Sequence, residues 1–144
     1  MRASIAVALF AVGFAAQAFA PQANAATPDN PAVVEVYTSQ GCSSCPPADA
    51  NVQALADRPD VLALSFAVTY WDKGGWRDTF AQDIFTRRQR DYEKPLKEHG
   101  PVTPQVIVDC RADVTGFVKS DIEKLVAQSN RSGGPSVQIN GGMV

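Results

Sequence analysis

Val34-Glu35-Val36-Tyr37-Thr38-Ser39-Gln40-Gly41-Cys42-Ser43-Ser44-Cys45-Pro46-Pro47-Ala48-Asp49 contains the transition that decides the fold of this chain. The β-branched and aromatic run from Val33 to Thr38 predicts a strand buried on both faces apart from Glu35. Ser39-Gln40-Gly41 then supplies a turn. After the two cysteines, Pro46 and Pro47 stand where a first helical turn has no intrahelical use for N–H groups. Ala48, Val52, Leu55 and Ala56 recur at helical spacing until Arg58-Pro59 stops them. Val61 to Tyr70 is a second apolar run of strand length, so the whole reads as a βαβ unit with a Cys-x-x-Cys at its strand-to-helix turn.

Toward the C-terminus, the loop Trp71-Asp72-Lys73-Gly74-Gly75-Trp76 opens a long helical stretch in which Trp76, Phe80, Ile84 and Phe85 lie on one face. Tyr92 and Leu96 continue the stripe, and Pro95 predicts a kink or split. Val102 to Asp109 reads as a strand beginning at Thr103-Pro104, folded back by a turn at Cys110-Arg111 onto a strand from Val114 to Val118. Ser120 and Glu123 have the spacing of a capping box for a final helix, with Ile122, Leu125 and Val126 facing inward. Asn130 to Pro135 reads as a loop, and residues 131–144 as the start of a β portion cut short. This order predicts an α/β, thioredoxin-like fold over residues 32–130: a mixed four-stranded sheet flanked by helices, with an inserted helix before the proline-bearing strand.

Toward the N-terminus, Arg2 precedes an apolar run from Ile5 to Ala16, and Ala23-Asn24-Ala25 gives a small-residue cleavage pattern. Residues 1–25 therefore read as a secretory signal peptide and 26–31 as a linker, which predicts a periplasmic or secreted protein. The alternative is an uncleaved anchor, although the apolar core is short for a span. Formal net charge is −2, with 19% charged and 45% hydrophobic residues. A weakly acidic chain with dispersed basic residues lacks the footprint of a nucleic-acid binder, and its composition is that of a globular domain. No apolar run after the signal reaches a membrane span, so no membrane association is expected once the signal is cleaved.

Three cysteines, Cys42, Cys45 and Cys110, are too few for a disulfide scaffold, and their number is odd. A helix N-terminus favours negative charge, which makes Cys42 the expected nucleophile and Cys45, one turn deeper, the resolving thiol. A static disulfide that staples the helix start is the plainer alternative. Zinc would need Cys110 and the lone His99 as further ligands, so no metal is expected. Glu35, an acid within an apolar strand, is a candidate proton acceptor for Cys45 beneath the helix, and Asp49 is its rival. Thr103-Pro104 is a candidate cis peptide at a strand start, where a trans proline would serve equally by spacing alone. Trp71 and Trp76 are candidates for a substrate groove, against plain packing. His99 and the arginines Arg87, Arg88 and Arg90 read as solvated surface.

The quoted stretch resembles the signature of an exported bacterial family known as domain of unknown function 1223. Tyr70-Trp71-Asp72, Gly75-Trp76-Arg77-Asp78-Thr79-Phe80, Arg88-Gln89-Arg90 and Thr103-Pro104-Gln105 extend the similarity over about residues 32–130. The resemblance implies a thioredoxin-like N-terminal part, and by analogy a cis Pro104 opposite the cysteines. It departs from this chain in two places: typical members continue into a β-rich C-terminal portion, and a glycine is expected where Cys110 stands. The expectation is a thiol–disulfide oxidoreductase with no organic cofactor, acting on protein thiols or disulfides and exchanging with a redox partner protein. Its rival is an exported binding module with a permanent Cys42–Cys45 disulfide, and Cys110 is a candidate for joining two chains.

Overall fold

The computed structural model describes residues 25–129; the expected signal peptide, apart from Ala25, and the expected C-terminal β portion lie outside them. A four-stranded sheet has the order β2-β1-β3-β4. β1 (Ala32–Thr38) occupies an inner position, paired parallel to β2 (Val61–Ala67) and antiparallel to β3 (Gln105–Val108). β4 (Ala112–Val114) pairs antiparallel to β3 across a tight turn. Helix α1 (Pro46–Gln53) connects β1 to β2, as parallel pairing requires. The mixed sheet with helices on both faces is consistent with a thioredoxin-like fold.

Alternation along β1 sorts the molecule into two cores. Val34 and Val36 join Val106 and Val108 beneath Val52 of α1 and Ile122 and Val126 of α4 (Lys119–Ala127). Tyr37 and Ile107 point the other way, onto Tyr92 and Val68. That second face is covered by a 3-10 turn over Thr69–Gly74, by α2 (Asp83–Asp91) and by the short α3 (Glu93–Leu96).

Several boundaries differ from expectation. The second strand ends at Ala67, because Tyr70 belongs to the 3-10 turn. The expected helix from Trp76 begins only at Asp83, and the first part of its apolar stripe is not a core face: Trp76, Phe80 and Ile84 are exposed, whereas Tyr92 and Leu96 at its far end do pack into the core. α2 instead buries Thr86 and Gln89, with Tyr92 at its end. The split between α2 and α3 follows from Pro95, whose ring conflicts with the carbonyl four residues earlier. β4 spans Ala112–Val114 rather than Val114–Val118, and Val118 is exposed. No side chain caps α4; Glu123 pairs with Lys119 instead of completing a box with Ser120.

Candidate functional site

Cys42 and Cys45 are joined by a disulfide between the end of β1 and the start of α1. The loop is held by the Cys42 N–H on Ser39 O at 3.0 Å and the Cys45 N–H on Cys42 O at 3.2 Å. The latter bond commits the Cys45 N–H to a carbonyl rather than to the sulfur. Pro46 and Pro47 have no N–H, and those of Ala48 and Asp49 bond the Cys45 carbonyl. The Ser44 hydroxyl lies 3.5 Å from the Cys42 sulfur.

Cys42 is 3% exposed and Cys45 fully buried. Cys42 nevertheless borders a cavity of about 400 Å³ together with Thr38, Gln40, Asp49, Asp78 and Phe80, whereas Cys45 does not reach it. A bulky thiol entering this cavity meets Cys42 first. Asp49 and Asp78 give the cavity two carboxylates, and no basic side chain lines it.

Asp78, which carries no site signal in the sequence, organises the rim. Its buried carboxylate accepts the N–H of Gln40 at 2.8 Å and of Phe80 at 2.9 Å, while its own N–H donates to Asp72 at 3.0 Å. The Trp76 indole N–H donates to Gln40 Oε1 at 3.1 Å, leaving the ring 64% exposed beside the cysteine loop. Trp71 lies against Gly41: a Cβ added there would stand 3.3 Å from Trp71 Cβ. The Trp71 indole N–H donates to Thr103 Oγ1 at 2.7 Å, so the ring bridges the cysteine loop and the segment before β3. The Thr103–Pro104 peptide is cis, and Pro104 is buried. Gln89 fixes that segment from α2 by donating to Val102 O at 2.7 Å and to Gln105 Oε1 at 2.9 Å. The structure therefore brings Trp71, Trp76 and Thr103 into one linked surface with the cysteine loop.

Glu35 requires a correction. It is buried, but its neighbours Val34 and Val36 are the β1 residues under α1, so the Glu35 carboxylate lies on the opposite face of the sheet. There it accepts Tyr37 Oη–H at 2.9 Å, Tyr92 Oη–H at 3.1 Å and two donors from Arg88. It therefore lies on the face away from α1, engaged by these donors, rather than beneath the helix as expected. Arg88 is exposed, as expected of solvated surface, but it also pairs with Glu35. Burial pushes the Tyr37 hydroxyl far above its ordinary range, and Glu35 adds to the effect. Tyr92 is raised by burial too, then by its contact with Cys110, 3.0 Å away.

The rival acid is better placed. Asp49 is on α1 one turn beyond Cys45, and its Oδ2 accepts the Thr38 hydroxyl at 2.9 Å. Burial raises its carboxyl above the ordinary range, and the Thr38 bond offsets part of the rise. Among the described residues, no group of three or more His, Cys, Asp or Glu side chains is arranged to hold a metal ion, and His99 is exposed. Nor, among them, is any helix long and apolar enough to cross a membrane.

A model of the family described as "Protein of unknown function (DUF1223)" matches residues 33–142. No curated protein matches the chain. An X-ray crystal structure of a protein from Agrobacterium tumefaciens, determined by a structural-genomics consortium, is similar at 40% sequence identity with a TM-score of 0.65. The match covers 71% of this chain and 46% of that one, so the chain spans less than half the length of this solved relative.

Proposed function

This chain belongs to the DUF1223 family, and on that premise we propose that it is an exported thiol–disulfide oxidoreductase acting on protein thiols or disulfides. The observation that carries the reading is the asymmetry of the pair: Cys42 borders a cavity beside the first turn of α1, while Cys45 is shut behind it. In the reductive direction, the Cys42 thiolate attacks a substrate disulfide, forming a mixed disulfide and releasing one substrate thiol. Cys45 then attacks Cys42, closing the internal disulfide and releasing the second. The reverse sequence oxidises a dithiol, and neither direction needs an organic cofactor. The α1 dipole and the Ser44 hydroxyl favour negative charge at Cys42. Trp71, Trp76 and Thr103 form the surface on which a substrate segment would lie, next to Pro104.

The test is to trap the mixed disulfide. In periplasmic extract, Cys45→Ser should accumulate protein adducts through Cys42, and Cys42→Ser should accumulate few or none. One observation favours a second reading, a binding module with a permanent disulfide: Cys42 is itself almost closed to solvent. A reduction potential well below about −300 mV, with no adducts on Cys45→Ser, would establish that reading instead.

A further inference from the structure

We propose that Asp49 is the proton partner of Cys45: its free carboxylate oxygen takes the Cys45 thiol proton during exchange and is left without a donor when the disulfide closes. The inference deepens the exchange reading above and rests on it for its catalytic meaning.

Three observations converge on Asp49. Its N–H donates to the Cys45 carbonyl at 3.1 Å, which sets the two residues one helical turn apart. Side chains so related lie one above the other, with Cβ atoms about 5–6 Å apart. Its Oδ2 is held by the Thr38 hydroxyl, which fixes the carboxylate between β1 and α1. Its Oδ1 is buried and has no hydrogen-bond partner.

An orphaned buried acceptor is costly, so a fold that keeps one invites the question of when it is satisfied. In the disulfide form the neighbouring Cys45 sulfur carries no hydrogen. Reduction puts an S–H on the residue one helical turn from Asp49, which supplies a donor that the disulfide form lacks.

Few other groups compete. The two cavities bordering Asp49 contain Cys42 and Asp78 as their only other titratable residues. Both Asp78 oxygens are already engaged by backbone N–H groups. Glu35 is on the far face of the sheet, and α4, which also packs on α1, spends Lys119 on Glu123 and Lys124 on Asp121.

The step balances as follows. In the mixed disulfide, the Cys45 S–H proton passes to Asp49, and the thiolate attacks Cys42 Sγ. The Cys42–Cys45 bond forms as the bond from Cys42 to the substrate sulfur breaks. The substrate leaves with that electron pair and takes a proton from water in the cavity. Asp49 afterwards returns its proton to solvent.

The test follows the Asp49 carboxyl of the full chain by carbon-detected titration in the disulfide form and after reduction with dithiothreitol. The expected result is a midpoint lower in the reduced form by about half a pH unit or more, since only that form offers the donor. The same midpoint in both forms would overturn the proposal. A kinetic arm separates chemistry from structure. Asp49→Asn should slow closure of a mixed disulfide by about tenfold or more, and steepen its dependence on pH. Added to Cys45→Ser, it should slow the initial attack by Cys42 on a small disulfide far less than it slows closure; equal slowing of both steps would also overturn the proposal. Because the titration uses a chemical reductant, a redox-linked midpoint with no substrate adducts would refute the exchange reading while leaving the Asp49–Cys45 pairing intact.

Discussion

Two carboxylates, Glu35 on β1 and Asp49 on the helix that follows it, have opposite energetic logic. Glu35 is buried but satisfied, by two tyrosine hydroxyls and the Arg88 fork. Arg88 itself is 46% exposed. Removing the arginine strands a charge inside the protein, whereas removing the acid leaves a cation that can turn to water. Arg88→Ala should therefore cost about 3 kcal/mol of stability, at the low end for a broken buried pair because the tyrosines still donate. Glu35→Gln should cost less. Since Glu35 faces away from α1, that change should also leave adduct formation by Cys45→Ser unaltered per folded molecule. Denaturant unfolding and quantitative trapping check the two halves separately. Asp49 differs in sign: burial raises its carboxyl in the folded chain, so the folded state binds more protons than the unfolded one as the group titrates. Its contribution to stability must then fall as pH rises from the ordinary carboxylate range through the raised midpoint. Wild-type urea midpoints should decline relative to Asp49→Asn over that window, and a relative increase would contradict the assignment.

The elements that place the site are locked by close backbone approaches. Gly116, in the connection between β4 and α4, has φ +81°, and a Cβ there would stand 2.5 Å from Val106 Cγ2 and 3.0 Å from Ala48 Cβ. The Asn51 side chain crosses from α1 to donate to the carbonyls of Gly116 and Phe117. Gly116→Ala should therefore destabilise by about 1–3 kcal/mol through both strain and overpacking, measurable as a lower thermal midpoint. The unit from β1 through α1 to β2 was legible in the sequence because period-two and period-3.6 patterns meet there at a proline-marked boundary. The parity of Glu35 was legible in principle: Val34 and Val36 flank it, and the face that matches the apolar stripe of α1 excludes it. The start of α2 is not legible, because Trp76, Phe80 and Ile84 mimic a helical stripe across a segment that is not helical before Asp83. Its true buried residues, Thr86 and Gln89, are polar, and only their partners Thr69, Tyr70, Val102 and Gln105 explain them. Such long-range polar pairing leaves no periodic trace. The same holds for Asp78, whose role depends on Gln40 and Phe80 closing around it.

At the scale of the molecule, the sheet separates two kinds of sulfur chemistry. The register pairs Val34 with Val108 and Tyr37 with Gln105, so the turn carrying Cys110 lies at the Ala32 end of β1 and the Cys42–Cys45 loop beyond its Thr38 end. Asp109 fastens that turn by donating its N–H to Val33 O at 2.8 Å and accepting the Val33 N–H at 2.9 Å. Seven residues of strand put roughly 20 Å between the two ends. A disulfide needs Cα atoms within about 7 Å, so Cys110 cannot reach either partner of the pair while the sheet is intact. Cys110 is exposed, and in an oxidising compartment an exposed thiol of this kind is capped or joined to another molecule. Non-reducing mass spectrometry of the protein isolated from an oxidising compartment should find Cys42–Cys45 closed within each chain, and Cys110 either carrying a small thiol or linking two copies. Cys110→Ser should abolish the linked species without changing the trapping behaviour of Cys45→Ser. A peptide joining Cys110 to Cys42 or Cys45 within one chain would mean that the sheet had opened before oxidation, and would contradict the strand register itself.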